Sequence, residues 1–462
     1  MEHGAAASGQ PLVVYGPSSL LYDFGVDHPL TPRRFGPGMD LLRALGAERF
    51  LAPPEATDAQ LHRVHEPLYV STVHMLSEYP DAGTMLGFSS WGDDPPFYGM
   101  HEAAAAVAGG SLAAMERILS GETLHAFHPG GGLHHAMPGR ASGFCVYNDT
   151  ALAVALARDA GHRVLYVDLD AHHGDGVETI FWNDPRVLTV SFHESGRVLF
   201  PWTGFVDDRG GPDARGTAVN VPLDPGTSDA SWLSVVERVV PPLAAAFHPT
   251  MLVSQHGSDT HALDPLTHLN LTTYAMARAA RLVDELAHQY TEGRWLATGG
   301  GGYDVYRVVP RVWGFVWLAQ AHRDAPLETP AEWREQWAGE AARYDQAPPP
   351  RAMVDSPGLV RADVRELIDR NARTAEAALQ GSLRALEETS AGFGDGAGAP
   401  TTDGYRTVPR SYRAHIHVCA LLDTPFRGAT LSDIAPAGCQ CPAQFPVSAS
   451  APATVRHHGG PE

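Results

Sequence analysis

No lysine occurs in the 462 residues; all 33 basic side chains are arginine. That bias reads as codon composition and says nothing direct about mechanism, but it removes the lysine that a P-loop needs. Cationic charge is scarce as well: 33 Lys+Arg stand against 53 Asp+Glu, a net charge of −20. Phosphate contacts need basic surface, so the composition argues against a nucleic-acid binder and favours basic partners. No apolar run approaches the roughly 18–20 residues that span a bilayer. Met1 to Gln10 holds no basic stretch followed by an apolar one, so no secretory signal is expected. Cysteine is rare: Cys145, Cys419, Cys439 and Cys441 are too few and too uneven for a disulfide framework. These absences point to a cytoplasmic protein that neither enters a membrane nor binds nucleic acid.

The 44% hydrophobic content is globular. Short apolar runs at Leu12–Tyr15, Arg163–Asp168, Val187–Phe192, Met251–Gln255 and Arg294–Thr298 read as buried strands. Helical patterns fall between them, over His101–Leu119, Asn148–Arg158, Ser231–Ala246, Thr273–His288 and Tyr303–Leu318. Continuous apolar strands alternating with helices predict an α/β fold: one open parallel sheet covered by helices on both faces. Ligands of such sheets sit beyond the carboxyl ends of the strands. We expect a catalytic domain over 11–325, a helical C-terminal extension over 326–388 and a disordered tail over 389–462, where Gly, Ala, Pro, Ser and Thr dominate.

Four strand exits carry chemistry. The run Val164-Leu-Tyr-Val-Asp168-Leu-Asp170-Ala-His172-His173-Gly174-Asp175 sets Asp168, Asp170 and His172 at i, i+2 and i+4, on one side of an extended chain. Two carboxylates and an imidazole suit a divalent cation, although Asp and His also cap loops. The run Met251-Leu-Val-Ser-Gln-His256-Gly257-Ser258-Asp259 ends in an acid that could complete an Asp170, His172, Asp259 set or merely cap the next segment. Three protein ligands with an open position are how catalytic zinc is held; Fe(II), Co(II) and Mn(II) also accept such oxygen-rich sites. The run His128-Pro-Gly-Gly-Gly-Leu-His134-His135 places paired imidazoles behind a glycine-rich turn, with Asp168 and Asp175 as available partners; a surface pair is the plainer reading. The run Ala297-Thr-Gly299-Gly-Gly-Gly302-Tyr303 has no phosphate-binding frame. It fits close backbone approach and a tyrosine aimed into the pocket, or a core aromatic at a helix start.

Together these runs resemble the zinc-dependent histone deacetylase superfamily of the arginase/deacetylase fold, and most nearly its bacterial acetoin-utilisation branch. Supporting segments are His28-Pro-Leu-Thr-Pro-Arg-Arg34, Gly143-Phe-Cys-Val-Tyr-Asn-Asp149, Thr189-Val-Ser-Phe-His193 and Asp259-Thr-His-Ala-Leu-Asp264-Pro-Leu266. The resemblance covers roughly Val13 to Val316 and implies a sheet of about eight strands. It implies zinc on Asp170, His172 and Asp259. It implies His134 and His135 as acid and base, with Asp168 and Asp175 orienting them, and Tyr303 on the substrate carbonyl. Gly143 would accept the leaving-group N–H through its carbonyl, Phe144 and Phe200 would wall an acyl-lysine tunnel, and Asp93 would hold the substrate backbone at the rim. A structural potassium would sit on backbone oxygens of Asp168, Asp170, His172 and Phe192 with the Ser191 hydroxyl.

The implied activity is hydrolytic removal of acetyl groups from lysine side chains of a protein or peptide, and the acetoin branch implies a metabolic enzyme such as acetyl-CoA synthetase as the substrate. The alternatives are an acetylpolyamine-type amide hydrolase, a catalytically inactive acyl-lysine binder and, less well supported, an arginase-like dimetal hydrolase lacking a full second set of aspartates. Leu266 stands where polyamine-selective relatives place an acid, which favours a protein substrate. Trp202 stands where relatives usually carry glycine and is expected to reshape the rim. The stretch Glu194–Leu199 is one residue longer than in eukaryotic relatives. Arg33 and Arg34 are expected to line a pocket behind the metal. In the tail, His415, His417, Cys419, Cys439 and Cys441 fit no standard zinc-finger spacing.

Overall fold

The computed structural model describes residues 9–392 except 357. Its elements run β1 (Leu12–Val14), α1 (Phe35–Ala44), β2 (Phe50–Leu51), α2 (Asp58–Leu61), α3 (Pro67–Glu78), α4 (Met100–Leu119), β3 (His125–His128), α5 (Asp149–Asp159) and β4 (Val164–Asp168). They continue α6 (Asp175–Phe181), β5 (Val187–Glu194), β6 (Ala218–Leu223), α7 (Asp229–Phe247), β7 (Met251–Gln255), α8 (Thr273–Tyr290), β8 (Trp295–Thr298), α9 (Val309–Gln320), α10 (Ala331–Arg343) and α11 (Arg365–Gly392).

The strands form one eight-stranded sheet in the order β2-β1-β3-β8-β7-β4-β5-β6, and every pairing among the described residues is parallel. Successive strand residues face opposite sides. Leu165 and Val167 of β4, Leu252 of β7 and Trp295 of β8 pack with α1, α7, α8 and α9. Val164, Tyr166, Met251, Val253 and Leu296 pack on the other face with α3, α4, α5 and α6. Being buried on both faces explains why the strands read as continuous apolar runs.

The five expected strands are present. Three further ones, β2, β3 and β6, are not marked by an apolar run: β2 is two residues long, β3 has histidine at both ends, and β6 contains Asn220 and Pro222. The helix expected from Tyr303 begins instead at Val309. The intervening backbone is spent elsewhere: the Gly301 amide donates to Asp170 at 2.9 Å and the Tyr303 amide to Asp264 at 2.9 Å.

The 326–388 stretch holds α10 and most of α11, and it is bonded to the sheet body. Trp333 Nε1 donates to the Pro37 carbonyl at 2.8 Å. The Asp355 carboxylate receives Arg311 at 2.7 Å, His261 at 2.8 Å and the Thr273 hydroxyl at 2.8 Å. Asn371 of α11 donates to Thr227 and Ser231 at the start of α7. Residues 389–392, placed in the expected tail, finish α11. The rest of that tail, with its Cys and His residues, lies outside the described residues.

Candidate active site

Register brings the site together. His128, Thr298, Gln255, Asp168 and Ser191 form one row across β3, β8, β7, β4 and β5. The loops leaving the first four of these strands carry His134 and His135, Tyr303, Asp259, and Asp170 with His172.

Asp170, His172 and Asp259 offer ligand atoms that lie within 4.8 Å of one another. His172 Nδ1 is 3.0 Å from Asp170 Oδ1 and 3.0 Å from Asp259 Oδ2. The opposite oxygens are anchored. Asp170 Oδ2 receives Gln255 Nε2 at 2.6 Å and the Gly301 amide, and Asp259 Oδ1 receives the Ala171 amide at 2.9 Å. Two fully buried carboxylates facing one imidazole nitrogen fit a divalent cation in both charge and donor type.

The paired histidines are buried, not a surface pair. His134 Nδ1 lies 2.8 Å from Asp168 Oδ2, His135 Nδ1 lies 2.7 Å from Asp175 Oδ1, and the two Nε2 atoms are 3.0 Å apart. Each carboxylate fixes the proton on Nδ1 and turns Nε2 inward. Burial alone would lower the His134 pKa, but Asp168, Asp170 and Asp175 outweigh it and raise it to about 9. Burial, then the neighbouring His134, lowers His135 to about 4. The surroundings therefore favour the charged form of His134 and the neutral form of His135.

Gly143 and Phe144 have φ of 55° and 67°, both left-handed. A Cβ on Gly143 would come within 2.5 Å of His135 Cδ2 and 2.8 Å of Phe200 Cε1, so only glycine fits. The Phe200 ring packs edge-on against His135 at 5.0 Å. Phe144 stands 6.0 Å from the Tyr303 ring. Gly143, Phe144, Tyr303, both histidines, Asp170 and His172 line one pocket. Leu266 is outside that lining but packs with the same apolar cluster as Phe144. Asp93 is exposed and its neighbour Asp94 is buried, which leaves Asp93 as the carboxylate available at the surface. His28 ties this loop to the pocket wall: Nε2 is 3.1 Å from the Asp93 carbonyl and the ring is 4.5 Å from Phe144.

The two arginines separate. Arg34 is buried, donates to the Gly300 carbonyl at 2.8 Å and lines a second pocket that shares Leu30 and Leu133 with the first. Arg33 does not line it; its guanidinium stacks 3.8 Å over Tyr344. Trp202 does not line the pocket either, and stands 59% exposed. Ser191 Oγ is 2.8 Å from His193 Nδ1, and Ser191 sits opposite Asp168 in the β4–β5 register.

Several supporting residues carry no sequence signal of their own. Tyr166 donates to Asp168 Oδ2 at 2.6 Å. Asp149 accepts the Gly132 and Leu133 amides and so holds the turn before the histidines. Asp264 holds the Tyr303 backbone, and burial, then the charge of Asp259, raises its carboxyl to about 8.

A family profile described as the histone deacetylase domain matches residues 28–319. The chain is 41% identical to the acetoin utilization protein AcuC of Bacillus subtilis over 377 residues, 79% of this chain and 96% of that one. It is 38% identical to AcuC of Staphylococcus xylosus over 331 residues, 70% of this chain and 86% of that one. A crystal structure of an HDAC homolog complexed with SAHA superposes with a TM-score of 0.70 at 26% identity, covering 80% of this chain and all of that one.

Proposed function

The chain belongs to the histone deacetylase family, in its acetoin-utilisation branch, and from that premise we propose that it hydrolyses acetyl-lysine side chains of proteins with zinc on Asp170, His172 and Asp259. The observation that carries the reading is the convergence of those three side chains beside a pocket that Asp170 and His172 line together with the carboxylate-backed His134–His135 pair. A bound divalent ion supplies Lewis acidity for the amide carbonyl and lowers the pKa of a water.

The protein's own groups do the rest. His135, the neutral ring, takes a proton from the attacking water. The charged His134 holds the proton that returns to the departing amine, and Asp168 and Asp175 keep both rings in register. The Tyr303 phenol donates to the oxygen that gains charge. The Gly143 carbonyl accepts the leaving-group N–H. Phe144 and Phe200 exclude water from the lysine stem, and Arg34 lines the pocket that receives acetate. Potassium is proposed on the β4 and β5 exits, with Ser191 contributing its hydroxyl.

A protein rather than polyamine substrate is favoured by Leu266, which supplies no charge for a second amine. It is also favoured by the large aromatics beside the rim residues: Trp91, 98% exposed, two residues from Asp93, and Trp202 two residues after Phe200. A net charge of −20 attracts basic segments. We place the reaction in the cytoplasm; among the described residues no helix is long and apolar enough to cross a membrane.

The test is acetate release from acetyl-lysine peptides and from acetylpolyamines, with chelated enzyme restored by zinc, cobalt or iron. Peptide turnover that returns best with zinc and is absent in Asp170→Ala is the expected result. Faster polyamine turnover would replace the substrate, and best recovery with iron or cobalt would replace the metal. No turnover of either substrate by metal-loaded protein would leave the inactive binder.

A further inference from the structure

A second group of metal-ligating side chains lies at the opposite edge of the sheet. It comprises His125, the first residue of β3, Asp284 and His288 in the last two turns of α8, and His322, just past the end of α9. At about 3.3 Å per residue, the length of β3 separates it from the catalytic edge by roughly 10 Å or more. None of its residues takes part in the reaction above.

The geometry has the dimensions of a coordination shell. Asp284 Oδ1 lies 3.7 Å from His125 Nε2, 3.5 Å from His288 Nε2 and 3.4 Å from His322 Nε2. The His288 and His322 Nε2 atoms are 3.0 Å apart. The three ring centroids form a triangle with sides of 5.1, 5.3 and 4.9 Å. Four ligands about 2.0–2.1 Å from a tetrahedral zinc stand about 3.3 Å from one another.

Hydrogen bonding accounts for only part of the arrangement: His288 and His322 share a bond through their Nε2 atoms, and the other two inward atoms have none. His125 is 6% exposed, and its Nδ1 lies 2.8 Å from the Gln320 carbonyl oxygen. A carbonyl only accepts, so Nδ1 carries the proton and Nε2 presents a lone pair to the centre. That Nε2 is buried without a hydrogen-bond partner, and so is Asp284 Oδ1. Backbone-carbonyl support on the far nitrogen is the usual way a metal-binding histidine is oriented. The C-terminal turns of α8 and α9 both approach, and helix C-termini favour a cation. Arg281, whose charge acts on His322, is engaged with Asp324 at 3.1 Å. His288 and His322 side chains are 43% and 55% exposed, so an ion has a path in.

We propose that His125, Asp284, His288 and His322 form a structural zinc site that ties the start of β3 to the ends of α8 and α9. Four protein ligands close the shell, so the site fastens rather than catalyses. The proposal does not depend on the deacetylase reading.

The experiment compares the full-length protein with a His288→Gln, His322→Gln double variant. Both ligands are half-exposed, so the variant keeps its packing. Each protein is loaded with zinc, freed of excess, and assayed for metal content, thermal midpoint and, after cobalt substitution, visible absorption. We expect one zinc fewer per chain in the variant, loss of a tetrahedral cobalt spectrum, and a midpoint that zinc raises by a few degrees only in the unsubstituted chain. An Asp170→Ala, Asp259→Ala protein should keep that zinc and that shift, which separates the site from the catalytic one. Tail residues are common to all proteins and cancel. Equal zinc content and equal zinc-induced shifts with and without His288 and His322 would overturn the proposal.

Discussion

The two edges of the sheet handle the same residue types differently. At the carboxyl edge, Asp170 and Asp259 are buried, the His172 side chain is 12% exposed, and each carboxylate has its second oxygen held by a backbone amide. At the amino edge, His288 and His322 reach solvent and only His125 is deeply buried. The first arrangement is pre-organised and leaves room for a reactant. The second gathers four ligands and leaves none. The loops at the carboxyl edge can hold strained backbone, as at Gly143 and Phe144, because the sheet beneath is packed on both faces.

The largest expected effect breaks one edge and spares the other. Asp170→Ala removes a proposed ligand and leaves Gln255 and the Gly301 amide without their acceptor. Acetate release should fall by about 10³-fold or more. His288→Gln should leave it within about twofold. If both variants lost activity equally, the two edges would not be independent. Tyr303→Phe should come next. Its phenol lines the pocket and its backbone is already fixed by Asp264. Removing one donor to the developing oxyanion costs about 10²–10³ in kcat, and KM should hardly move. A loss confined to KM would make Tyr303 a packing residue.

Asp355→Asn tests whether the C-terminal extension belongs to the body beneath the catalytic edge. Its carboxylate is the ion-pair partner of Arg311, whose side chain is 1% exposed. Leaving that guanidinium buried and unpaired should cost about 3 kcal/mol of stability in chemical denaturation. Burial alone would raise the Asp355 pKa, but His261 and Arg311 outweigh it and hold it well below the usual carboxylate range. The unfolded chain therefore binds this proton first as pH falls. The stabilisation is complete above about pH 5 and is lost progressively below about pH 4. Asp355→Asn should flatten that acid limb.

The carboxyl edge was readable because each strand delivers its chemistry within a few residues of its end. Asp168, Asp170 and His172 share one run, and His134 and His135 are adjacent, so local spacing already implies convergence. Their supports are a different matter. Tyr166, Gln255 and Asp149 look like ordinary strand and helix-start residues, and only the register of β4 against β7 shows whom they touch. The amino edge was illegible for the same reason. Asp284 and His288 stand i, i+4 on α8, but His125 and His322 come from elements remote in sequence, and β3 carries no apolar run. Helical periodicity in its neighbours predicts a helix start at Tyr303, but the amides that a first turn would use are taken by Asp170 and Asp264. Asp355, between Val354 and Ser356 in a stretch without clear periodicity, carries no sign that it fastens Arg311.

Trp202 gives the smallest effect and sharpens what kind of strain the carboxyl edge tolerates. Its φ is 66°, in the left-handed region that favours glycine, and its ring is 59% exposed. A glycine there relieves the backbone but frees the unfolded chain, and little packing is lost. The net gain for Trp202→Gly should be about 0.5–1 kcal/mol, read as a higher denaturation midpoint. Because the side chain does not line the pocket, kcat on a short acetyl-lysine peptide should stay within about threefold. Turnover of an acetylated protein is where the ring would act, by offering apolar surface outside the tunnel. A KM that rises for the protein substrate but not for the peptide would make the strain the cost of a docking aromatic. Equal kinetics on both would leave Trp202 as strain without a function at this edge.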